Sequence, residues 1–428
     1  MTAANKLGDW REVRLSEICE RTELATPERW PDKPFCYVDV SSVSNETFRI
    51  TQPKEILGKD APSRARKLIH RNDVIFATVR PSLQRVALVP PNLDGQICST
   101  GFCVLRSKPD LLDPLFLYFY LLTEKIRRTV ESLQDGATYP AIRDSDLLEQ
   151  SVCLPSIPEQ RAIVRVIDTV RQAKEARQHE LTLERERKAA LMGYLFTHGI
   201  RGEPTKLTEI GEIPESWKLT TLGELCEDDL GLIQTGPFGS QLHASDYIHS
   251  GVPVVNPTHL LVNGIETGRL PHISQELAHS LSRHYLCEGD ILISRRGDFS
   301  RFAFIASHQA GWLCGTGCLL VRLANPDIDN YFLAVSMSLE PIQNYLRQAA
   351  VGTIMPNLNT RILAEMPVML PDVEEQRRIA AVVRACESKI AALEVEEPLL
   401  GELFRTMLED LMTRRLPTVS QIEEHQAQ

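Results

Sequence analysis

The sequence predicts an α+β protein in which two mixed, β-rich domains are joined by two long antiparallel helices that form a coiled coil. Three observations predict this fold. The chain of 428 residues repeats itself in register, short apolar runs punctuated by Gly and Pro fill each repeat, and each repeat ends in a long stretch with heptad spacing. The length allows about two to four domains.

The repeat is most visible in two stretches, LPSIPEQRAIVRVIDTV from Leu154 and LPDVEEQRRIAAVVRA from Leu370, which begin 216 residues apart. The same spacing relates Thr100 to Thr316. Because a fixed register over about a hundred residues rarely arises by chance, it indicates an internal duplication with pseudo-twofold symmetry.

Each repeat contains one β-rich module, and we predict the first over residues 1–155 and the second over residues 217–371. Short apolar runs at 74–77 and 291–293 are typical of strands. The modules agree at their starts and ends but share only a strand-turn-strand outline between them. A constant scaffold around a variable interior indicates two copies of one module that fit different targets.

The long helices are predicted over residues 156–200 and 372–415, with Ser156 and Asp372 as N-caps. About 40 residues at 1.5 Å per residue give a rod of roughly 60 Å. Heptad spacing predicts these coiled-coil seam residues: Ile163, Ile167, Val170, Leu181, Leu191, Leu195, Ile379, Val383, Ile390, Leu393, Leu400, Phe404, Met407 and Leu411. Pro398 is expected to bend the second helix.

The middle of the first helix is charged at the same heptad positions, so a single solvated helix is the alternative to an antiparallel pair. Residues 201–216, RGEPTKLTEIGEIPES, are polar with Gly and Pro and are predicted to be a linker. Residues 416–428 are predicted to be a C-terminal tail.

Composition excludes several classes of protein. No apolar run approaches the ~20 residues that cross a membrane, and the N-terminus resembles no signal peptide, so a cytoplasmic protein is expected. The ten cysteines are irregularly spaced without a histidine pair, so no metal site is expected. No Walker A loop, dinucleotide loop or amino-methyltransferase motif is present, so we expect no enzyme activity.

The net charge of −10 opposes nucleic-acid binding at face value, but the charge is uneven. Residues 205–371 contain 10 basic and 17 acidic residues. Any DNA-binding surface is therefore a local patch, or a partner supplies much of the positive field.

With these motifs in view, the chain resembles the specificity subunit of type I restriction-modification systems over essentially its whole length. The resemblance is carried by the twofold module-helix organisation and the repeated LP-x-x-x-E-Q-R stretches. It is also carried by the segment GIRGEPTKLTEIGEIPESW and by TGPFGSQLHASDYIHSGVPVV, residues 235–255. The first module has no counterpart of GPFGS, so the two modules are expected to belong to different subtypes.

The resemblance implies that each module is a target-recognition domain that reads one half of a gapped, asymmetric site in double-stranded DNA. It implies that the helices space the modules and dock two modification subunits, which bind S-adenosylmethionine and methylate adenine. Restriction subunits that use ATP and Mg would complete the complex. This chain would hold no cofactor and catalyse nothing.

Phosphate contacts need Arg and Lys, and base reading also uses Asn, Gln, Ser and Thr. The DNA-binding candidates concentrate in basic runs, on the divergent hairpins and after the repeated glycines at 136 and 352. They are Arg64, Arg66, Lys67, Arg71, Thr78, Arg80, Gln84, Arg85, Tyr139, Arg143, Arg283, Arg295, Arg296, Arg301, Asn357 and Asn359. Two other functions remain open from the residues alone, a stand-alone DNA-binding regulator and a coiled-coil adaptor.

Overall fold

The computed structural model describes residues 10–134, 140–261, 264–350 and 357–413, and it confirms the predicted α+β fold. The chain divides into two compact units. The first unit contains the residues up to His179 and those from Glu394 onward, and the second contains Glu180–Leu393. Each unit therefore contains one module and a segment of both long helices.

The first module and the helix that follows it contain ten strands and five helices among the described residues. The strands are β1 (Arg11–Arg14), β2 (Cys19–Glu20), β3 (Pro34–Val38), β4 (Lys54–Leu57), β5 (Ala65–Ile69), β6 (Val74–Ala77), β7 (Val86–Leu88), β8 (Gln96–Ser99), β9 (Phe102–Ser107) and β10 (Ser151–Leu154). The helices are α1 (Leu15–Ile18), α2 (Pro114–Leu121), α3 (Glu124–Ser132), α4 (Asp144–Leu148) and the long α5 (Ile157–His198).

The second repeat follows the same order after a hairpin. Its strands are β11 (Thr205–Thr208), β12 (Gly211–Pro214), β13 (Lys218–Thr221), β14 (Gly231–Thr235), β15 (Val252–Val255), β16 (Leu260–Leu261), β17 (Gly264–Ile265), β18 (His272–Ile273), β19 (Ile291–Ser294), β20 (Phe302–Phe304), β21 (Leu313–Cys314), β22 (Cys318–Leu323) and β23 (Pro367–Leu370). Its helices are α6 (Gln275–Ser280), α7 (Asn330–Met337), α8 (Glu340–Ala349), α9 (Thr360–Ala364) and the long α10 (Val373–Met412).

The sheets of the two modules have matching topology. A four-stranded antiparallel sheet has the order β2-β9-β6-β7 in the first module and β14-β22-β19-β20 in the second. A second sheet contains one parallel pair, β3 with β8 or β15 with β21. The first strand of each module pairs with its last, β1 with β10 and β13 with β23. The duplication seen in the sequence is therefore a duplication of fold.

A buried glutamine fastens the start of each long helix to its module. The Gln160 amide nitrogen donates to the carbonyls of Leu111 (3.0 Å) and Pro155 (2.9 Å), and its oxygen accepts from the Asp113 N–H (2.8 Å). The Gln376 amide nitrogen donates to the carbonyls of Asp327 (2.9 Å) and Pro371 (3.0 Å), and its oxygen accepts from the Asp329 N–H (2.8 Å). These bonds explain why the Glu-Gln-Arg motif occurs twice, because each amide satisfies backbone groups that would otherwise be buried unpaired.

The glutamate before each glutamine binds a tryptophan near the start of the same module. The Trp10 indole donates to Glu159 (3.0 Å), and the Trp217 indole donates to Glu375 (3.3 Å). Because the tryptophan and glutamate lie at opposite ends of the module sequence, each bond ties the first strand to the long helix.

A buried carboxylate supports the same sheet in each module. Asp73 accepts two bonds from the Arg106 guanidinium (2.9 and 3.0 Å), and Asp290 accepts two from Arg322 (2.8 and 2.6 Å). These bonds raise the pKa of both arginine side chains. Breaking such a buried pair leaves an uncompensated charge, so these residues are structural.

The two long helices pair antiparallel within the second unit. Two cross-helix ion pairs, Glu184 with Lys389 (2.7 Å) and Lys188 with Glu387 (2.6 Å), run in opposite directions along the two helices. The same direction continues just beyond the end of α5, where the Ile200 N–H donates to Glu375 (2.8 Å). Leu195 and Phe196 of α5 share one apolar core with Ile379 and Val383 of α10. The charged middle of α5 is thus part of a helix pair rather than a single solvated helix.

The first unit contains the reciprocal pairing. Ile163 and Ile167 of α5 share a core with Phe404 and Leu408 of α10 and with the first module. Arg177 donates to Glu396 across the pair at 3.1 Å. Each module is therefore packed on the beginning of its own helix and on the end of the other.

All fourteen predicted seam residues are buried or half-buried. Those that are buried are Ile163, Ile167, Leu195, Ile379, Val383, Leu393, Phe404 and Leu411. Those that are half-buried are Val170, Leu181, Leu191, Ile390, Leu400 and Met407. The helix α10 continues through Pro398, which is exposed.

The structure corrects the prediction of a linker over residues 201–216, because β11 and β12 form an antiparallel hairpin there. Gly211, at φ 105°, follows its two-residue turn. Ile210 and Ile213 are buried in the same core as Trp217. Because Leu207 is exposed and the segment is rich in polar residues, its sequence lacks the alternation of apolar and polar residues that identifies a strand. The predicted tail over 416–428 lies outside the described residues.

Replacing Gln376 by Leu should lower the free energy of unfolding by about 2 kcal/mol or more. The substitution leaves the Asp329 N–H and the carbonyls of Asp327 and Pro371 without their partner inside the protein. Urea unfolding followed by circular dichroism measures the change. Arg377→Ala, at the exposed neighbouring position, is the control and should change little. Equal stability of the two variants would contradict the structural role of Gln376.

Candidate nucleic-acid interface

The structure brings together two candidate regions of the first module that are distant in sequence. The turn between β6 and β7 lies beside the segment that follows residue 139. The Arg80 N–H donates to the Pro140 carbonyl (2.8 Å), and the Ile142 N–H donates to the Thr78 carbonyl (2.9 Å). The basic turn and residues 140–142 therefore form one surface.

Three of the candidate arginines line one cleft on this surface, which we name the arginine cleft. It has a volume of about 460 Å³ and is lined by Val40, Ser41, Arg64, Val79, Arg80, Leu83, Arg85 and Ala141. Arg64 and Arg80 are exposed, whereas the Arg85 guanidinium donates to the carbonyls of Val40 and Val43. Arg85 therefore holds the wall of the cleft in place.

The turn at the edge of the arginine cleft has a strained backbone. Arg80 and Gln84, which flank the 3-10 turn Pro81–Leu83, have φ values of 50° and 46°, in the left-handed region that non-glycine residues rarely adopt. The Gln84 amide donates to the carbonyls of Leu122 (3.3 Å) and Thr123 (3.4 Å), which stabilises this conformation. Strain held in place by surrounding bonds is typical of functional sites.

Two candidates in the first module are structural instead. Thr78 is 5% exposed and its hydroxyl donates to the Gly101 carbonyl at 3.1 Å. The Lys67 ammonium, on a side chain that is 12% exposed, donates to the Phe102 carbonyl (2.6 Å) and pairs with Asp144. Their hydrogen-bonding groups bind partners within the module, which contradicts the prediction that these two residues contact DNA.

The described candidates that remain in the first module are exposed or half-buried. Arg66 is half-buried and makes a two-bond pair with Glu28 (2.7 and 2.8 Å). Arg71 and Arg143 are exposed. Tyr139 lies outside the described residues.

The second module repeats the arrangement with different residues. Arg295 and Arg296 follow β19 directly, and Arg296 forms a β-bridge with Asn357. The Leu358 N–H donates to the Arg295 carbonyl (2.9 Å), and the Arg295 guanidinium donates to the Leu358 carbonyl (3.1 Å). The exposed Arg296 is therefore presented by a backbone that is fixed on both sides.

Three other candidates of the second module differ in what their side chains do. Arg301 is exposed and lies 3.7 Å from Asp298 in the same turn. Arg283 is exposed, and its carbonyl accepts a bond from Gln234 (2.7 Å). Asn359 caps α9 by accepting from the Ile362 N–H (2.8 Å), which occupies its side-chain oxygen in the fold.

Sequence reasoning missed several residues of these surfaces. Ser41 and Leu83 line the arginine cleft but belong to no basic run. Phe238 is exposed at the end of the four-stranded sheet of the second module, within the GPFGS segment. That segment supported the resemblance, but no residue in it was named as a contact.

Among the described residues, no group of three or more His, Cys, Asp and Glu side chains is arranged so that it could hold a metal ion. Burial raises the pKa of the Cys98 and Cys103 thiols, which disfavours the thiolate that binds metals. Within the described part of the chain, no helix is long and apolar enough to cross a membrane.

The family model described as the type I restriction modification DNA specificity domain matches residues 8–185 and 214–398. The chain belongs to this family. Both matches begin at a module and end within the long helix that follows it, as the internal duplication requires.

Relatives of the specificity-subunit family extend over nearly the whole chain. The MjaVIII specificity subunit of Methanocaldococcus jannaschii is 21% identical over 423 residues, 95% of this chain and 93% of the relative. A chain from a study of complex assembly and conformational transition in the type I restriction-modification system is 29% identical, with coverage of 96% and 99% and a TM-score of 0.53. The S subunit of M. genitalium, 17% identical, shares the fold with a TM-score of 0.59 and coverage of 96% and 98%.

Proposed function

We propose that this chain is the non-catalytic DNA-recognition subunit of a type I restriction-modification complex, in which each module reads one half of an asymmetric, gapped site. The observation that carries the proposal is the repeated surface in which a turn after β6 or β19 presents an exposed arginine. Arg80 occupies this turn in the first module and Arg296 in the second. Two such surfaces on one chain suit a DNA partner with two separate half-sites.

The two surfaces differ in the groups that they offer to bases. The first turn reads RPSLQR and the second RRGDFSR. The surrounding backbone bonds are equivalent, so the side chains are the variable part of a common frame. We infer that the two half-sites differ in sequence, because different donors select different base edges in the major groove.

The long helices are proposed to set the gap between the half-sites and to dock two adenine-N6 modification subunits. Two clefts, which we name the first and second helix clefts, support two identical partners. The first, of about 520 Å³, includes Leu122, Glu124, Arg405, Leu408 and Glu409 in its lining. The second, of about 470 Å³, includes the residues 216 positions away, Ser338, Glu340, Ala189, Met192 and Gly193.

The first helix cleft lies in the first unit, where α10 passes the loop before α3. The second lies in the second unit, where α5 passes the loop before α8. The first helix cleft is lined by acidic residues together with Lys174 and Arg405, whereas the charged residues that line the second are the acidic Glu212 and Glu340. Apolar side chains in both linings suit a partner segment with one large apolar side chain, and the acidic residues suit basic neighbours on that segment. We further propose that S-adenosylmethionine is held by the modification subunits, and that ATP and Mg belong to restriction subunits.

Methylome sequencing of cells that express this chain with its modification subunit tests DNA reading. We expect methylated adenines in a gapped, asymmetric motif that disappears when the chain is deleted. Arg80→Ala should relax one half of the motif, and Arg296→Ala should relax the other. If each arginine reads a guanine through two hydrogen bonds, each change should weaken specific binding by about 1–3 kcal/mol.

The matched controls are Arg14→Ala on β1 and Arg347→Ala on α8, which remove exposed arginines elsewhere on the two modules. They should leave the motif unchanged. A motif that survives deletion of the chain would contradict the proposed function. Relaxation of the same half-site by both turn variants would contradict the assignment of one module to each half.

Replacing Gly193 by Phe should release one of the two modification subunits. Gly193 lines the second helix cleft, and a Cβ atom there meets nothing within 4 Å, so the substitution adds a large side chain to the wall of the cleft without a clash at the Cβ atom. Gly193→Ala is the matched control, because it leaves the cleft open and raises helix propensity by about 1 kcal/mol. Native mass spectrometry of the purified complex counts the bound subunits.

We expect two modification subunits on the wild type and on Gly193→Ala, and one on Gly193→Phe. Two subunits on all three proteins would show that the second helix cleft is not a docking site. The thermal stability of each free variant, measured alongside, separates a filled cleft from a misfolded chain.

A further inference from the structure

Phe238 is an exposed aromatic residue whose backbone is held rigidly. Its side chain is 60% exposed. The Phe238 carbonyl accepts bonds from the N–H groups of Gln241 (2.8 Å) and Leu242 (3.2 Å), and its N–H donates to the Gln241 side chain (3.0 Å). Leu242 is buried in a core cluster of the second module and anchors this turn. The fold therefore keeps an apolar ring in water at a fixed position.

The turn that contains Phe238 leaves the four-stranded sheet at the same end as the turn that contains Arg295 and Arg296. Thr235 ends β14 opposite Leu319 of β22, and Ser294 ends β19 opposite Cys318 of the same strand. The Gly236 N–H donates to the Cys318 carbonyl (2.9 Å). Phe238 follows the end of β14 by three residues and Arg295 follows β19 directly, so both segments leave one edge of one sheet.

Two glycines allow this close arrangement. A Cβ atom at Gly236 would lie 2.0 Å from the Gly315 carbonyl oxygen, and one at Gly315 would lie 2.2 Å from the Asn256 side-chain oxygen. A side chain at Gly236 would push the start of the Phe238 turn away from Gly315, and a side chain at Gly315 would push that residue away from Asn256. The two glycines thus allow the segment that leads to Phe238 to pack closely against the loop before β22.

An exposed aromatic ring that follows one strand of a sheet, with the exposed Arg296 following another strand at the same end, has the chemistry of a contact that deforms DNA. Apolar side chains inserted between base pairs unstack a step and bend the duplex, while nearby arginines bind the phosphates. The cost of unstacking depends on the step, so such a wedge selects sequence without reading base edges. A protein partner would also bury an aromatic ring, and the experiment below distinguishes the two.

We infer that Phe238 is a specificity-determining wedge, which inserts its ring at one base step of the half-site read by the second module. This inference rests on the proposed function and extends it from direct reading to deformation of the DNA. The first module has no GPFGS segment, so only one half-site is unstacked in this way. The deformable step lies within the half-site that Arg296 reads.

The test uses the chain assembled with its modification subunits and a duplex containing its methylated motif. The fluorescent adenine analogue 2-aminopurine replaces bases of each half-site in turn, at positions other than the methylated adenine. Wild type should raise the fluorescence several-fold at one step of the second module's half-site. Phe238→Ala should abolish that rise and weaken binding about tenfold, whereas Phe238→Trp should preserve both.

Ile248→Ala, which removes another exposed apolar side chain of the same module, is the matched control and should change neither measurement. Unchanged fluorescence in Phe238→Ala would overturn the inference, whether or not affinity falls. Loss of a modification subunit from that variant would assign the ring to a protein contact and would also overturn it. Absence of sequence-specific binding by the wild-type complex would instead contradict the proposed function, and the inference with it.

Discussion

The pairing of α5 with α10 is the interaction on which both units depend, because neither module has a complete core without segments of both helices. In the second unit Phe196 of α5 stacks on Phe332 of the module with ring centroids 5.2 Å apart, while Val383 of α10 lies in the same core. In the first unit Phe404 of α10 packs on Phe119 of the module.

The apolar contacts supply most of the stability, since exposed or partly exposed ion pairs such as Lys188 with Glu387 contribute at most about 1 kcal/mol each. The ion pairs instead favour the antiparallel register, because opposite charges meet only in that alignment.

Buried polar groups then fix each module on its helix. Gln160 and Gln376 bond backbone groups of their modules, and Glu159 and Glu375 bind tryptophans near the module starts. These bonds hold each module against the first turn of the long helix that follows it. The same frame carries the two arginine-bearing turns, whose side chains differ. A constant frame with exchangeable turns is a physical basis for changing the DNA sequence that is read without changing the fold.

The sequence predicted the repeat, the long helices and their seam, because heptad spacing and a constant offset of 216 residues are direct consequences of the structure. It did not predict the hairpin at 205–214, since a segment of polar residues with Gly and Pro resembles a loop until Ile210 and Ile213 are seen to be buried.

Basic runs located the candidate surface but could not separate surface arginines from interior groups. Lys67 and Thr78 show why, because the alternation of a strand does not reveal which side chain has an internal hydrogen-bond partner. Phe238 was missed because an exposed aromatic cannot be told from a buried one by its neighbours in sequence.

Cross-linking of the two long helices tests the central claim most directly. Lys188 and Glu387, whose side chains are joined at 2.6 Å, are each replaced by Cys, and the double variant is treated with a short bismaleimide reagent. Mass spectrometry of the digested protein should then find the peptides containing positions 188 and 387 joined, with no such product from either single variant. A cross-link that fails to form in the folded double variant, or that joins position 188 to the end of α10 instead, would contradict the antiparallel pairing on which this account depends.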